Sequence, residues 1–95
     1  MPPASISALI SHAYTTLLST LHERASLLSA PGGTIPPSLN RTLKRQIDTF
    51  AQALQDAQSQ GSLDNKDARL KWERVQDSLE KDEEGRKVLV AARDW

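Results

Sequence analysis

The side chains that could do chemistry are few and scattered. His12 and His22 are ten residues apart. On one helix that is about 15 Å, too far to share a metal ion. His22-Glu23 begins a zinc-protease helix signature, but Ser26 stands where its second histidine is required. There is no cysteine, which removes disulfides, thiolate chemistry and thiolate metal sites and leans toward a reducing compartment. No glycine-rich phosphate loop follows a strand pattern. The carboxylates fall into salt-bridge spacings on outer faces, with no cleft to raise a pKa. Arg41, Lys44 and Arg45 form a basic cluster, but without an interleaved aromatic they are a weak nucleic-acid signal. The residues point to no enzyme, no cofactor and no metal.

What positions these groups is helical. Leu43, Ile47, Phe50, Leu54 and Ala57 recur at spacings of 4, 3, 4 and 3, and Ala68, Trp72, Val75 and Leu79 at 4, 3 and 4. That is the period of one helical stripe, not of a strand. Upstream, Ile6, Leu9, Ile10, Ala13, Tyr14, Leu17, Leu18, Leu21, Ala25 and Leu28 fall within about half a helical circumference. The opposite face carries serines, threonines and the two histidines. Its charge is unusually low: residues 1–40 hold only Glu23 and Arg24.

The punctuation agrees. Pro2 and Pro3 precede Ser5, a candidate N-cap. Ala30-Pro31-Gly32-Gly33 ends the first helix. Thr34 or Ser38 is expected to cap the second, with Pro36 and Pro37 in its first turn. Gly61 is expected to end it in a left-handed conformation, and the third helix starts at Ser62 or Asp64. Four acid-before-base pairs follow at i,i+4: Asp67–Lys71, Asp77–Lys81, Asp82–Arg86 and Glu83–Lys87. At roughly 0.2–0.5 kcal/mol each they offset the roughly 1 kcal/mol cost of glycine inside a helix, so the third helix is expected to run through Gly85 to about Arg93. Val88, Ala92 and Trp95 lie on the side away from Trp72. They either fold back over the bundle end or form a small partner patch.

The expected architecture is one all-α domain spanning residues 1–95, an antiparallel up-down-up three-helix bundle with helices at about 5–29, 36–60 and 63–93 and a loop at 30–35. The alternative is a helical hairpin with the first helix docked elsewhere. Twelve basic and twelve acidic side chains cancel, so no net field favours nucleic acid or an anionic membrane. No run of about 18 apolar residues spans a bilayer. The N-terminus lacks the basic region of a presequence. The expected location is cytoplasmic, either as a free domain or as the soluble part of a membrane-anchored protein.

Read as residues rather than periods, Leu39-Asn40-Arg41, Lys44, Ile47-Asp48-Thr49-Phe50 and Leu54 resemble the second helix of a BAG domain. Lys66-Asp67-Ala68-Arg69-Leu70-Lys71 and Arg74-Val75-Gln76-Asp77-Ser78-Leu79-Glu80 resemble the third. Trp72 replaces an aliphatic residue of that pattern, and the first helix is similar only in length and period. The resemblance implies a three-helix co-chaperone. Such a domain grips the ATPase domain of the seventy-kilodalton heat-shock chaperone with helices two and three, opens its nucleotide cleft and speeds ADP release. Carried over, the family's helix-two acid falls on Asp48 and its glutamine on Gln76. Its arginine falls at Ala68 or Arg69, of which only Arg69 is basic. Glu73 shares the Arg69–Gln76 stripe, and Lys44 belongs to the helix-two match. A second acid near the end of helix two is missing, with Gln58 in its place. A reading from another class is a small helical scaffold or adaptor subunit, motivated by the hydroxyl-rich face of helix one and the Val88, Ala92 and Trp95 patch.

Overall fold

The computed structural model describes residues 6–92 and, among them, a helical bundle of four helices and no strand: α1 (Ile6–Ser29), α2 (Pro37–Ser59), α3 (Asn65–Leu79) and α4 (Glu83–Ala91). Pro2, Pro3, Ser5, Arg93 and Trp95 lie outside the described residues, as does the side chain of Ile6.

The stripes of α2 and α3 are buried as their spacing predicts. Leu43, Ile47, Phe50, Leu54 and Ala57 are buried, joined by Ala51. Ala68, Trp72, Val75 and Leu79 are buried in α3. Phe50 stands at the centre. Its ring lies 5.6 Å from Tyr14 of α1 and 5.8 Å from Trp72 of α3. These tilted ring pairs tie three helices through large apolar surfaces, each pair adding about 0.5–1.5 kcal/mol beyond area burial.

On α1 the apolar arc is wider than its neighbours can cover. Ile10, Ala13, Tyr14, Leu17 and Leu21 are buried, but Leu9 is 52% and Leu28 47% exposed. Ala25 is exposed as well. Thr20 and Arg24 are buried instead. Thr20 meets its hydrogen-bonding need within the helix, its hydroxyl donating to the Thr16 carbonyl at 3.3 Å.

The ends of the helices follow local chemistry. Gly32 turns the chain at φ +67° after α1. Neither Thr34 nor Ser38 caps α2: its N-cap is Pro36, without a side-chain hydrogen bond. The reason is that Pro37 opens the helix with a preset φ and no N–H in need of a partner. At the other end Gly61 has φ +70°. The Ser62 N–H donates to the Ala57 carbonyl at 3.0 Å and the Gly61 N–H to Gln58 at 3.1 Å, the paired bonds of a Schellman turn. Asp64 caps α3, accepting from the N–H groups of Lys66 and Asp67 at 3.1 and 3.2 Å.

The third helix does not run through Gly85. It stops at Leu79, and α4 begins at Glu83. Asp82 takes an extended conformation (φ −139°, ψ 161°) as the N-cap of α4, its carboxylate accepting from the Gly85 N–H at 3.0 Å. Arg86 reaches back to the Glu80 carbonyl at 3.0 Å, satisfying an acceptor that the end of α3 leaves open. The break removes most of the pairing expected across it. Asp67–Lys71 forms at 2.6 Å; Asp82 is taken by the cap and by Arg24, and Lys87 turns to Glu84 at 3.4 Å. The break also re-aims the chain beyond it. Val88 joins the core and Ala92 packs against it, so α4 folds back over the bundle.

Candidate functional site

The residues singled out from sequence fall into two groups. On α2, Lys44 pairs with Asp48 at 2.9 Å, with side-chain exposures of 45% and 34%. Their spacing of four places both on one flank beside the buried stripe, and an exposed pair of this kind contributes about 0.3–0.5 kcal/mol. On α3, Arg69 and Glu73 are exposed and Gln76 is half-buried. Their spacings of 4 and 3 align them on one flank. The other flank of α3 faces α1, where Arg74 donates to the Tyr14 hydroxyl at 3.3 Å and the Lys71 ammonium lies 5.6 Å from the Tyr14 ring centre. The Arg69–Gln76 stripe therefore faces away from α1. Asp48 and Arg69 also make contacts of their own. Gln58 stands exposed on the last turn of α2, about 15 Å along the helix from Asp48. His12 and His22 are both exposed, and among the described residues no group of His, Cys, Asp or Glu could hold a metal ion.

The most structured polar contact was not singled out from sequence. Arg24, 3% exposed, forms a two-pronged ion pair with Asp82, which is 26% exposed; its Nη1 lies 2.9 Å from Oδ1, and Nη2 bonds Oδ2. The fork geometry matches guanidinium to carboxylate. Among the described residues Arg24 Nε is buried without a hydrogen-bond partner, so there Asp82 carries the whole compensation of this charge. A signal was present. Arg24 follows Ile10, Ala13, Leu17 and Leu21 at helical spacing, a charge placed in register with an apolar stripe. The bond to Arg24, helped by the Gly85 N–H, holds the Asp82 carboxyl below its ordinary value of 3.8.

That shift has a direction in pH. The folded carboxyl ionises below the unfolded one, so its contribution is complete above the unfolded value and is lost as pH falls through the lower folded value. Thermal melts from about pH 6 down to about pH 2 should show an acid loss of stability, smaller in Asp82→Asn than in the native chain. Equal acid sensitivity in both would show that other carboxylates carry the effect.

Between α1 and α2 lies an open groove of about 620 Å³. Leu9, Ala13 and Ala53 give it apolar walls, and Arg45, Asp56 and His12 supply its polar groups. Among the described residues no helix is long and apolar enough to cross a membrane. No family model, curated protein or solved structure matches the chain.

Proposed function

We propose that the chain is a non-catalytic protein-binding module in which α1, α2 and α3 run up-down-up and α4 closes over them. The short connections between successive helices support this course. Its partner is the ATPase domain of the seventy-kilodalton heat-shock chaperone, as the BAG-like residues of α2 and α3 imply, and its effect is faster ADP release. The observation that supports the reading is the polar stripe of Arg69, Glu73 and Gln76, carried on the flank of α3 that α1 does not cover. Lys44 and Asp48 offer a second charged patch on α2, with Gln58 at that helix's end.

The test is release of a fluorescent ADP analogue from such an ATPase domain with and without this chain. Acceleration is expected, and Asp48→Lys or Arg69→Ala should weaken binding by about 2–5 kcal/mol while circular dichroism stays native. Loss of the exposed Lys44–Asp48 pair costs the fold no more than about 1 kcal/mol. Binding unchanged in both variants removes the site assignment. No acceleration, with no heat of binding, removes the chaperone reading and leaves a helical scaffold or adaptor. The half-exposed Leu9 beside the nearly uncharged face of α1 favours that second reading.

A further inference from the structure

The outer face of α2 carries bases toward its N-terminus and an acid toward its C-terminus. Its first turn holds no acid and its last turn no base. Arg41 and Arg45 stand in its N-terminal half and Asp56 near its C-terminal end. All three side chains are exposed, and the Arg45 guanidinium has no ion-pair partner among the described residues. Between the ends the groove holds Asp48, paired with Lys44 at 2.9 Å, and Gln52, which donates to Asp56 Oδ1 at 2.8 Å. Thr49 donates its hydroxyl to the Arg45 carbonyl at 3.0 Å, which meets that hydroxyl's need within the helix, while Leu9 stays half-exposed.

We infer that a second copy of this chain occupies the α1/α2 groove, forming a two-fold dimer in which α2 packs antiparallel to its counterpart. A two-fold axis near Phe50 and Ala51 sets Arg45 of each copy against Asp56 of the other. The same arrangement brings the C-terminal end of each α2, with its open carbonyls, to the Arg41 end of its partner. Such an interface is isologous, as two-fold symmetry demands. Because α1 runs opposite to α2, Leu9 lies at the Asp56 end of the groove. The aliphatic stem of the opposing arginine covers it while the guanidinium reaches the carboxylate. The extent is sufficient: helices about 35 Å long and two helix diameters wide offer on the order of 700 Å² per copy, near the roughly 800 Å² of a standard interface. This inference goes beyond the chaperone reading and does not rest on it; the α3 stripe lies outside the groove, while Asp48 lines it, so the dimer test uses Arg45 and Asp56 and leaves Asp48 unchanged.

Sedimentation velocity of the full chain over a concentration series tests it. The native chain should show a monomer–dimer equilibrium. Arg45→Asp and Asp56→Arg should each weaken dimerisation by at least about tenfold, because each sets like charges opposite one another twice. Mixing the two variants should restore a heterodimer, and the double variant R45D/D56R should dimerise with itself. Both positions are exposed, so native circular dichroism is expected throughout. A native chain that stays monomeric to about 1 mM, single variants that dimerise normally, or a mixture that fails to recover would each overturn the inference.

Discussion

Replacing Asp82 with alanine is expected to lower the unfolding free energy by about 3–5 kcal/mol, measured by urea denaturation near neutral pH. Two losses combine. The guanidinium of Arg24, 3% exposed, loses its only counter-ion among the described residues and both of its hydrogen-bond acceptors there. The first turn of α4 loses the carboxylate that accepts from the Gly85 N–H, a cap worth about 1 kcal/mol. Against the roughly 5–15 kcal/mol typical of a small domain this is a large share. The reverse truncation should cost less. Arg24→Met keeps an apolar side chain on the α1 stripe and leaves Asp82 partly in water and still capping α4. A double variant, Arg24→Met with Asp82→Ala, should be more stable than Asp82→Ala alone, because no buried charge is left unpaired. Equal costs for the two single changes, or a double variant at the simple sum, would mean that the pair is a surface contact of little weight.

The pair shows where the sequence is legible and where it is not. The stripes of α2 and α3 can be read because every stripe residue is apolar and the period is unbroken; each position from Leu43 to Leu79 so predicted is buried. The left-handed turn at Gly61 can be read, and the cap of α3 narrowed to Ser62 or Asp64, because both depend on neighbours within six residues; the structure selects Asp64. Arg24 stands in register with the α1 stripe, but the partner that lets its charge be buried lies 58 positions away and cannot be read. On α1 the wide apolar arc leaves the packed edge undetermined, so the pattern places Ala25 and Leu28 inside, where the structure exposes both. The site residues divide the same way. That Arg69, Glu73 and Gln76 share a flank follows from spacing; that this flank faces away from α1 depends on Tyr14 meeting Lys71 and Arg74 on the other.

Gly85→Ala separates the local from the tertiary account by the sign of its effect. Inside a continuous exposed helix, alanine would replace glycine with a gain of about 1 kcal/mol, and the charged pairs around Gly85 favour that expectation. Here Gly85 is buried in the first turn of α4, against the end of α3. A methyl group on it would overlap the Leu79 carbonyl oxygen, lie 2.9 Å from the carbonyl carbon and 3.0 Å from Asp82 Oδ1. Two of these neighbours are backbone atoms at the end of a packed helix, and the third belongs to the carboxylate that holds Arg24. None can withdraw as a flexible side-chain tip can. The expected result is therefore a loss of about 1–3 kcal/mol from overpacking, together with a weaker hold of Asp82 on Arg24. An Asp82→Ala background should show a smaller penalty for Gly85→Ala, because one of the obstructing groups is gone. A stabilised Gly85→Ala variant would instead mean that α3 and α4 form one helix in solution, and that Val88 does not fold back onto the core.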